Sequence, residues 1–182
     1  MKSSPFHRSL VILIALGSAA LAADINGVHN FHQINDHVFR GAQPSSEGFQ
    51  SLAKMGVKTV IDLRESGSRA DSEKRVVEKA GMRYVNIPFS GYSAPSDQQI
   101  ARVLAMFEDT AAGPVFIHCR HGADRTGTVV ACYRVLHDHW KNQEALTEAK
   151  NDGMSWTERA MQRYVLGYQP PAAVSAAVPA SN

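Results

Sequence analysis

Apolar positions along the chain fall into short runs and helical stripes that alternate. "FHQINDHVFRGAQPS" predicts two short strands around Asn35-Asp36, and Ser45 or Ser46 is placed to cap a helix running to Met55. In "GVKTVIDLR", Val57, Val60, Ile61 and Leu63 make a strand bounded by Gly56. A charged helix from Ser72 to Ala80, closed by Gly81, leads into a further strand, "MRYVNIPF". "APSDQQIARVLAMFED" opens with Pro and Ser, and its Ile100, Val103, Leu104 and Phe107 share one helical face. "GPVFIHC" is uninterrupted and apolar, as in a strand buried on both faces of a parallel sheet. Helical periodicity resumes from Arg125 to about His139, and two shorter helices follow, Gln143 to Lys150 and Thr157 to Tyr164. Strands alternating with helices predict an α/β fold with a central, mostly parallel sheet flanked by helices. In such sheets ligands bind beyond the carboxyl ends of the strands.

The ends of the chain read differently. Lys2, His7 and Arg8 precede the uncharged run "SLVILIALGSAALAA", and Ala20-Leu21-Ala22 offers a small-x-small cleavage pattern. The run is about 15 residues, short of the roughly 18 a membrane span needs. Residues 1–22 are therefore expected to be a signal peptide, leaving no stable membrane span once cleaved and an exported protein, periplasmic or secreted. Residues 23–168 are expected to form one domain, since 182 residues suffice for a single core but not for two. Residues 169–182, "QPPAAVSAAVPASN" after the last periodic stretch, are Pro- and Ala-rich and are expected to be disordered.

Charge narrows the partners. The net charge of +2 loses Lys2 and Arg8 with the leader, giving 2 − 2 = 0. No basic field for nucleic acid remains. An exported chain meets an oxidising compartment, where Cys119 and Cys132, its two cysteines, could pair. Cys132, mid-helix in "VVACYRV", reads as a buried structural thiol. The surroundings of Cys119 point elsewhere.

In "PVFIHCRHGADRTG" a buried strand ends at His118-Cys119, a loop runs through Arg120, His121, Gly122, Ala123 and Asp124, and a helix starts at Arg125. A loop feeding a helix N-terminus is an anion site, because backbone N–H groups and the helix dipole converge there. Gly122 permits the tight backbone. The same field favours a thiolate on Cys119, and the planar fork of Arg125 can hold two phosphate oxygens at once. Full ionisation of an ordinary thiol gains only roughly thirtyfold at pH 7. Most of any catalysis must therefore come from holding a phosphoryl group in line and stabilising its oxygens.

"HCRHGADRTG" resembles the signature loop of cysteine-dependent protein tyrosine phosphatases, in their atypical dual-specificity branch. "VFRGAQPS" and "LAKMGVKTVIDLR" extend the resemblance over roughly residues 30–168. It implies that Cys119 is the nucleophile of a phosphocysteine intermediate and that Arg125 binds the phosphoryl group. His118 would order Cys119, Thr126 would donate a hydrogen bond to the departing sulfur, and the amides of residues 120–125 would cradle the oxygens. No cofactor and no metal is implied.

The general acid is less defined, because no Trp-Pro-Asp tripeptide precedes the cysteine. Asp97, in "APSDQQI", is the expected acid; Asp124 is its rival. Arg64 and Glu65 end a strand where a site would lie, Arg64 as a structural or substrate-rim residue. His29, His32, His37, His137 and His139 are spaced too irregularly for a zinc site. The expected activity is hydrolysis of phosphate monoesters, with a phosphorylated protein or a small phosphate ester as partner. A phosphoinositide or inositol phosphate phosphatase and a non-catalytic phosphate-binding module are the alternatives.

Overall fold

The computed structural model describes residues 25–171. The expected leader (residues 1–22) and all but the first residues of the expected tail (172–182) lie outside the described residues.

Among the described residues, five strands form one sheet in the order β1-β2-β5-β3-β4: β1 (His32–Gln33), β2 (Val38–Ala42), β3 (Thr59–Asp62), β4 (Arg83–Asn86) and β5 (Val115–Cys119). Only β1 runs antiparallel to its neighbour, pairing His32 with Arg40. The central strand β5 pairs in parallel with β2, which sets Ala42 opposite Cys119, and with β3, which sets Asp62 opposite His118. The mostly parallel sheet is thus as the alternation of runs predicts. The ends of β2, β3 and β5 converge on one edge, where His118 and Cys119 lie.

Among the described residues, six α-helices cover the two faces: α1 (Ser46–Lys54), α2 (Ser68–Lys79), α3 (Asp97–Glu108), α4 (Asp124–Leu136), α5 (Asn142–Asn151) and α6 (Arg159–Gly167). Local chemistry sets most of their starts. Ser45 caps α1 by accepting from the Gly48 amide, and Ser96 forms a reciprocal capping box with Gln99 at α3. Helix α2 starts one turn earlier than its apolar pattern implies. Its first turn is charged and polar, so periodicity is silent there, and the chain enters it through Gly67 at φ 129°. Helix α4 stops at Leu136, short of the predicted end, and His139 beyond it takes a φ of 57°.

The core has two halves separated by the sheet. On one side Phe49, Leu52 and Val77 of α1 and α2 meet Phe39, Val60 and Phe116. On the other, Ile100, Val103, Leu104 and Phe107 of α3 and Val129, Val130 and Tyr133 of α4 meet Ile61, Val115 and Ile117. Because successive side chains of a strand point to opposite faces, β5 sends Val115, Ile117 and Cys119 toward α4, and Phe116 and His118 toward α1 and α2. Truncating fully buried Phe116 to Ala would cost about 3–5 kcal/mol. Helix α4 is buried nearly all round, held between the sheet and the α5–α6 pair. Its first turn is therefore anchored from below and from the side of α5 and α6, while its cleft side stays open.

Candidate active site

Three successive carbonyls of the loop after β5 are turned away from the cleft and tied to the segment around β1 and β2. The Gln43 amide donates to Arg120 O at 3.3 Å, Asn30 Nδ2 donates to His121 O at 3.3 Å, and Arg40 Nη2 donates to Gly122 O. In a trans peptide the N–H points opposite to the C=O of the same plane. The amides of His121, Gly122 and Ala123 are thereby aimed at the space above Cys119. Gly122 makes the turn possible: its φ is 68°, and a Cβ there would lie 2.3 Å from Gly41 C and 2.5 Å from Ala42 N. The loop crown rests on the backbone of β2.

Cys119 is 3% exposed at the floor of the cleft. Helix α4 has no side-chain cap, so its first-turn amides add their positive field to the same point. Arg125, in that first turn, lines the cleft, and its guanidinium Nη1 lies 3.3 Å from Glu65 Oε2. Thr126 Oγ1 is buried and makes no hydrogen bond to any described residue.

Behind Cys119 lies a buried network that spans β3, β4, α2 and β5. His118 Nδ1 meets Cys119 O at 3.2 Å, while Nε2 lies 3.0 Å from Glu73 Oε1 without the alignment of a hydrogen bond. Arg64 donates from Nη2 to Glu73 at 2.6 Å and in bidentate fashion to Asp62 at 2.9 and 2.8 Å. Tyr84 Oη adds a 2.7 Å bond to Asp62. Burial works against ionising Asp62, yet the hydrogen bonds from Arg64 and Tyr84 and the charge of His118 outweigh it and hold the carboxyl down to about 2. Asp62, Glu73 and His118 form a compact set of possible metal ligands, but the Arg64 guanidinium already bonds both carboxylates. Arg64 is thus chiefly structural, with one edge on the cleft wall.

A second buried cation lies on the opposite side of the loop. Arg40, with no exposed surface, donates from Nη1 to Asp152 Oδ2 at 2.7 Å. Burial pulls its pKa down, and the Asp152 carboxylate counteracts that pull.

The cleft measures about 740 Å³ and opens at the carboxyl ends of the strands, as the topology of a parallel sheet requires. Arg64, Arg69, Arg120, His121 and Arg125 line it, opposed by Glu65, Asp124 and Glu158, with Gly91 and Tyr92 at the lip. Asp97, the acid expected from the sequence, does not line this cleft. Ser96 fixes it in the first turn of α3, its Oδ1 accepts from Tyr164 Oη at 2.8 Å, and it faces a separate depression beside α6. Asp124 does line the cleft; its Oδ1 accepts from the Ser155 amide at 2.8 Å. Cys132 is fully buried, and burial raises its thiol pKa far above the ordinary range. Both cysteines are unpaired.

The structure therefore brings together Cys119, Arg120, His121, Asp124 and Arg125 around one space, packs Gly122, Ala123, His118 and Thr126 against it, and leaves Asp97 outside. Sequence reasoning missed Arg40, Asp62, Glu73 and Asp152. Their available signal was charge out of place: Arg40 and Asp62 interrupt apolar strands, where an unpaired charge would be costly.

A family model described as a DSP-PTPase phosphatase fused to NAD+ kinase matches residues 22–165. The dual specificity protein phosphatase TpbA of Pseudomonas aeruginosa is 28% identical over 137 residues, 75% of this chain and 60% of that protein. The chain thus spans about three fifths of the length of that curated relative. Among solved structures, P. aeruginosa TpbA is similar at a TM-score of 0.66 and 26% identity, covering 79% of this chain and 91% of that one. A cysteine-to-serine TpbA in complex with phosphotyrosine gives 0.65 and 27%, over 76% and 83% of the two chains. The catalytic core of the yeast PP-IP phosphatase SIW14, 21% identical, shares the fold at 0.70, over 80% of this chain and 88% of that one. Since the family match runs from before β1 into α6 and takes in every element that builds the cleft, the chain belongs to the DSP-PTPase phosphatase family.

Proposed function

We propose that the protein hydrolyses phosphate monoesters through a phosphocysteine intermediate, with phosphotyrosine proteins as the first substrate class and phosphoserine and phosphothreonine within reach. The observation that carries this is the loop after β5: the carbonyls of Arg120, His121 and Gly122 are tied away from the cleft, so the amides of His121, Gly122 and Ala123 converge over Cys119 beside the Arg125 fork. The TpbA complex with phosphotyrosine supports the substrate class.

In the first step the Cys119 thiolate attacks phosphorus in line, and the bond to the leaving oxygen breaks. Arg125 releases Glu65 and takes two equatorial oxygens, and the loop amides take the rest. Asp124, the rival acid read from the sequence and a cleft residue in the fold, gives its proton to the leaving oxygen. In the second step water attacks phosphorus and Asp124 takes its proton. The S–P bond breaks, releasing inorganic phosphate and the thiolate.

A second reading, an inositol phosphate or phosphoinositide substrate, is favoured by the basic wall of Arg69, Arg120 and His121. Three plant relatives named inositol diphosphatases, 25–29% identical, lean the same way. Turnover of an aryl phosphate in EDTA, lost in Cys119→Ser, supports the enzyme; phosphopeptide binding without turnover sinks it in favour of a non-catalytic binding module. A panel of phosphotyrosine and phosphoserine peptides, phosphoinositides and inositol phosphates ranks the substrates by kcat/KM.

We read residues 1–22 as an export signal, from their basic start and apolar run. The mature N-terminus found by mass spectrometry would then lie near Ala23 or Asp24, and an intact leader in the cytoplasm would refute the reading.

A further inference from the structure

We propose that Arg40 is a positioning residue for phosphoryl transfer: bridging Gly122 O and the Asp152 carboxylate, it holds the signature loop with its amides turned toward the substrate. The inference rests on the phosphatase reading for its rate effects, and on the anion site alone for its binding effects.

Arg40 sits in the middle of β2 with none of its surface exposed. Nη1 reaches Asp152 Oδ2 at 2.7 Å, Nη2 reaches Gly122 O, and Nε has no partner. Asp152 is the C-cap of α5, 112 residues along the chain from Arg40. Asn30 completes the arrangement, its amide donating to both His121 O at 3.3 Å and Asp152 O at 3.0 Å. Segments before, within and after the phosphate loop are thus joined at one point beneath it.

Stability alone is a poor reason for such a group. Taking a guanidinium and a carboxylate out of water is costly, and apolar replacements of similar volume are often neutral or stabilising. What an apolar side chain could not do is hold Gly122 O. That carbonyl belongs to the same peptide plane as the Ala123 amide, so releasing it frees the plane to rotate and carry the amide away from the anion. Gly122, without a Cβ and at positive φ, is the residue of this loop with the most freedom to make that rotation. Positional errors of about 1 Å in such donors cost on the order of a hundredfold in rate.

The test compares the full chain with Arg40→Met, Arg40→Lys and Asp152→Asn. It measures the Kd for inorganic phosphate by calorimetry below each protein's thermal transition, and kcat and KM for an aryl phosphate. Arg40→Met should weaken phosphate binding about tenfold or more and lower kcat as well as kcat/KM. Arg40→Lys, which keeps a buried cation and donor, should recover part of both losses, and Asp152→Asn should show a smaller loss in the same direction. Should Arg40→Met fail to fold, the Lys and Asn variants decide: phosphate affinities within twofold of the parent overturn the proposal. A lowered Tm with unchanged phosphate affinity and kcat in any variant also overturns it, because that is what a merely structural ion pair would give. A parent chain that binds phosphate but does not turn over refutes the phosphatase reading, while weaker phosphate binding in the Arg40 variants would still support the positioning role.

Discussion

The guanidinium of Arg125 and the carboxylate of Glu65 face each other at the cleft, with Nη1 3.3 Å from Oε2 and 3.4 Å from Oε1. In the proposed reaction, substrate has to displace this contact, since the phosphoryl oxygens need the same fork. Glu65 is largely exposed, and its own backbone amide, with Arg125 behind it, holds its carboxyl below the ordinary range. It is therefore ionised at neutral pH and competes with the phosphate. An exposed pair of this kind is worth at most about 1 kcal/mol, so Glu65→Gln should lower KM for an aryl phosphate by roughly two- to fivefold. A raised KM would show instead that Glu65 orients Arg125 for binding.

Placing Asp124 inside the cleft and Asp97 outside it gives opposite expectations for two similar substitutions. With a poor leaving group such as phenyl phosphate, Asp124→Asn should lower kcat by about 10²- to 10⁴-fold, the usual worth of a general acid. With a strongly acidic leaving phenol the loss should shrink. Asp97→Asn keeps an acceptor for Tyr164 and should leave kcat nearly unchanged for both substrates. The reverse pattern would return the role to Asp97.

The Asp62–Arg64–Glu73 network should make the fold sensitive to acid. The folded Asp62 is depressed from 3.8 to about 2, so its contribution is complete above the unfolded value and is lost as pH falls toward 2. That shift corresponds to on the order of 2 kcal/mol. Urea unfolding at pH 6 and pH 2.5 should show the loss, and it should be reduced in Asp62→Asn, a variant already weakened at pH 6 by leaving Arg64 short of a charge partner.

Substituting Gly122 tests the loop directly. An alanine would have to hold a φ of 68° with its Cβ 2.3 Å from the Gly41 carbonyl carbon, so backbone must move against backbone. Gly122→Ala should lose about 1–3 kcal/mol of stability, the scale of such strain, and at least about a hundredfold in kcat/KM through the displaced amides. Thermal melting and steady-state kinetics on the same preparation read both; a stable, fully active variant would mean that the loop tolerates another path.

Much of this molecule is written locally. The alternation along β5 already sends Cys119 and His118 to opposite faces, because a strand has a period of two. The capping Ser45 and Ser96 mark helix starts within three residues of their partners. The strand, the glycine turn and the helix that make residues 114–127 a candidate anion site are contiguous, so Cys119 and Arg125 could be singled out from one short stretch.

The partners that hold this stretch could not. Arg40 and Gly122 are 82 residues apart, Arg40 and Asp152 are 112 apart, and Asn30 reaches Asp152 across 122. No periodicity links such positions, since each is set by the packing of separate elements on the sheet. Asp97 and Asp124 likewise look alike as acidic residues at helix starts. A hydrogen bond from Tyr164 of α6 holds Asp97 outside the cleft, whereas the first turn of α4 leaves Asp124 lining it. The sequence by itself determined that Cys119 and Arg125 sit together at a strand end and a helix start, because both lie on one continuous turn of chain. Only the tertiary structure decided which buried charges brace that turn and which carboxylate reaches the cleft, because those answers depend on distances between elements far apart in sequence.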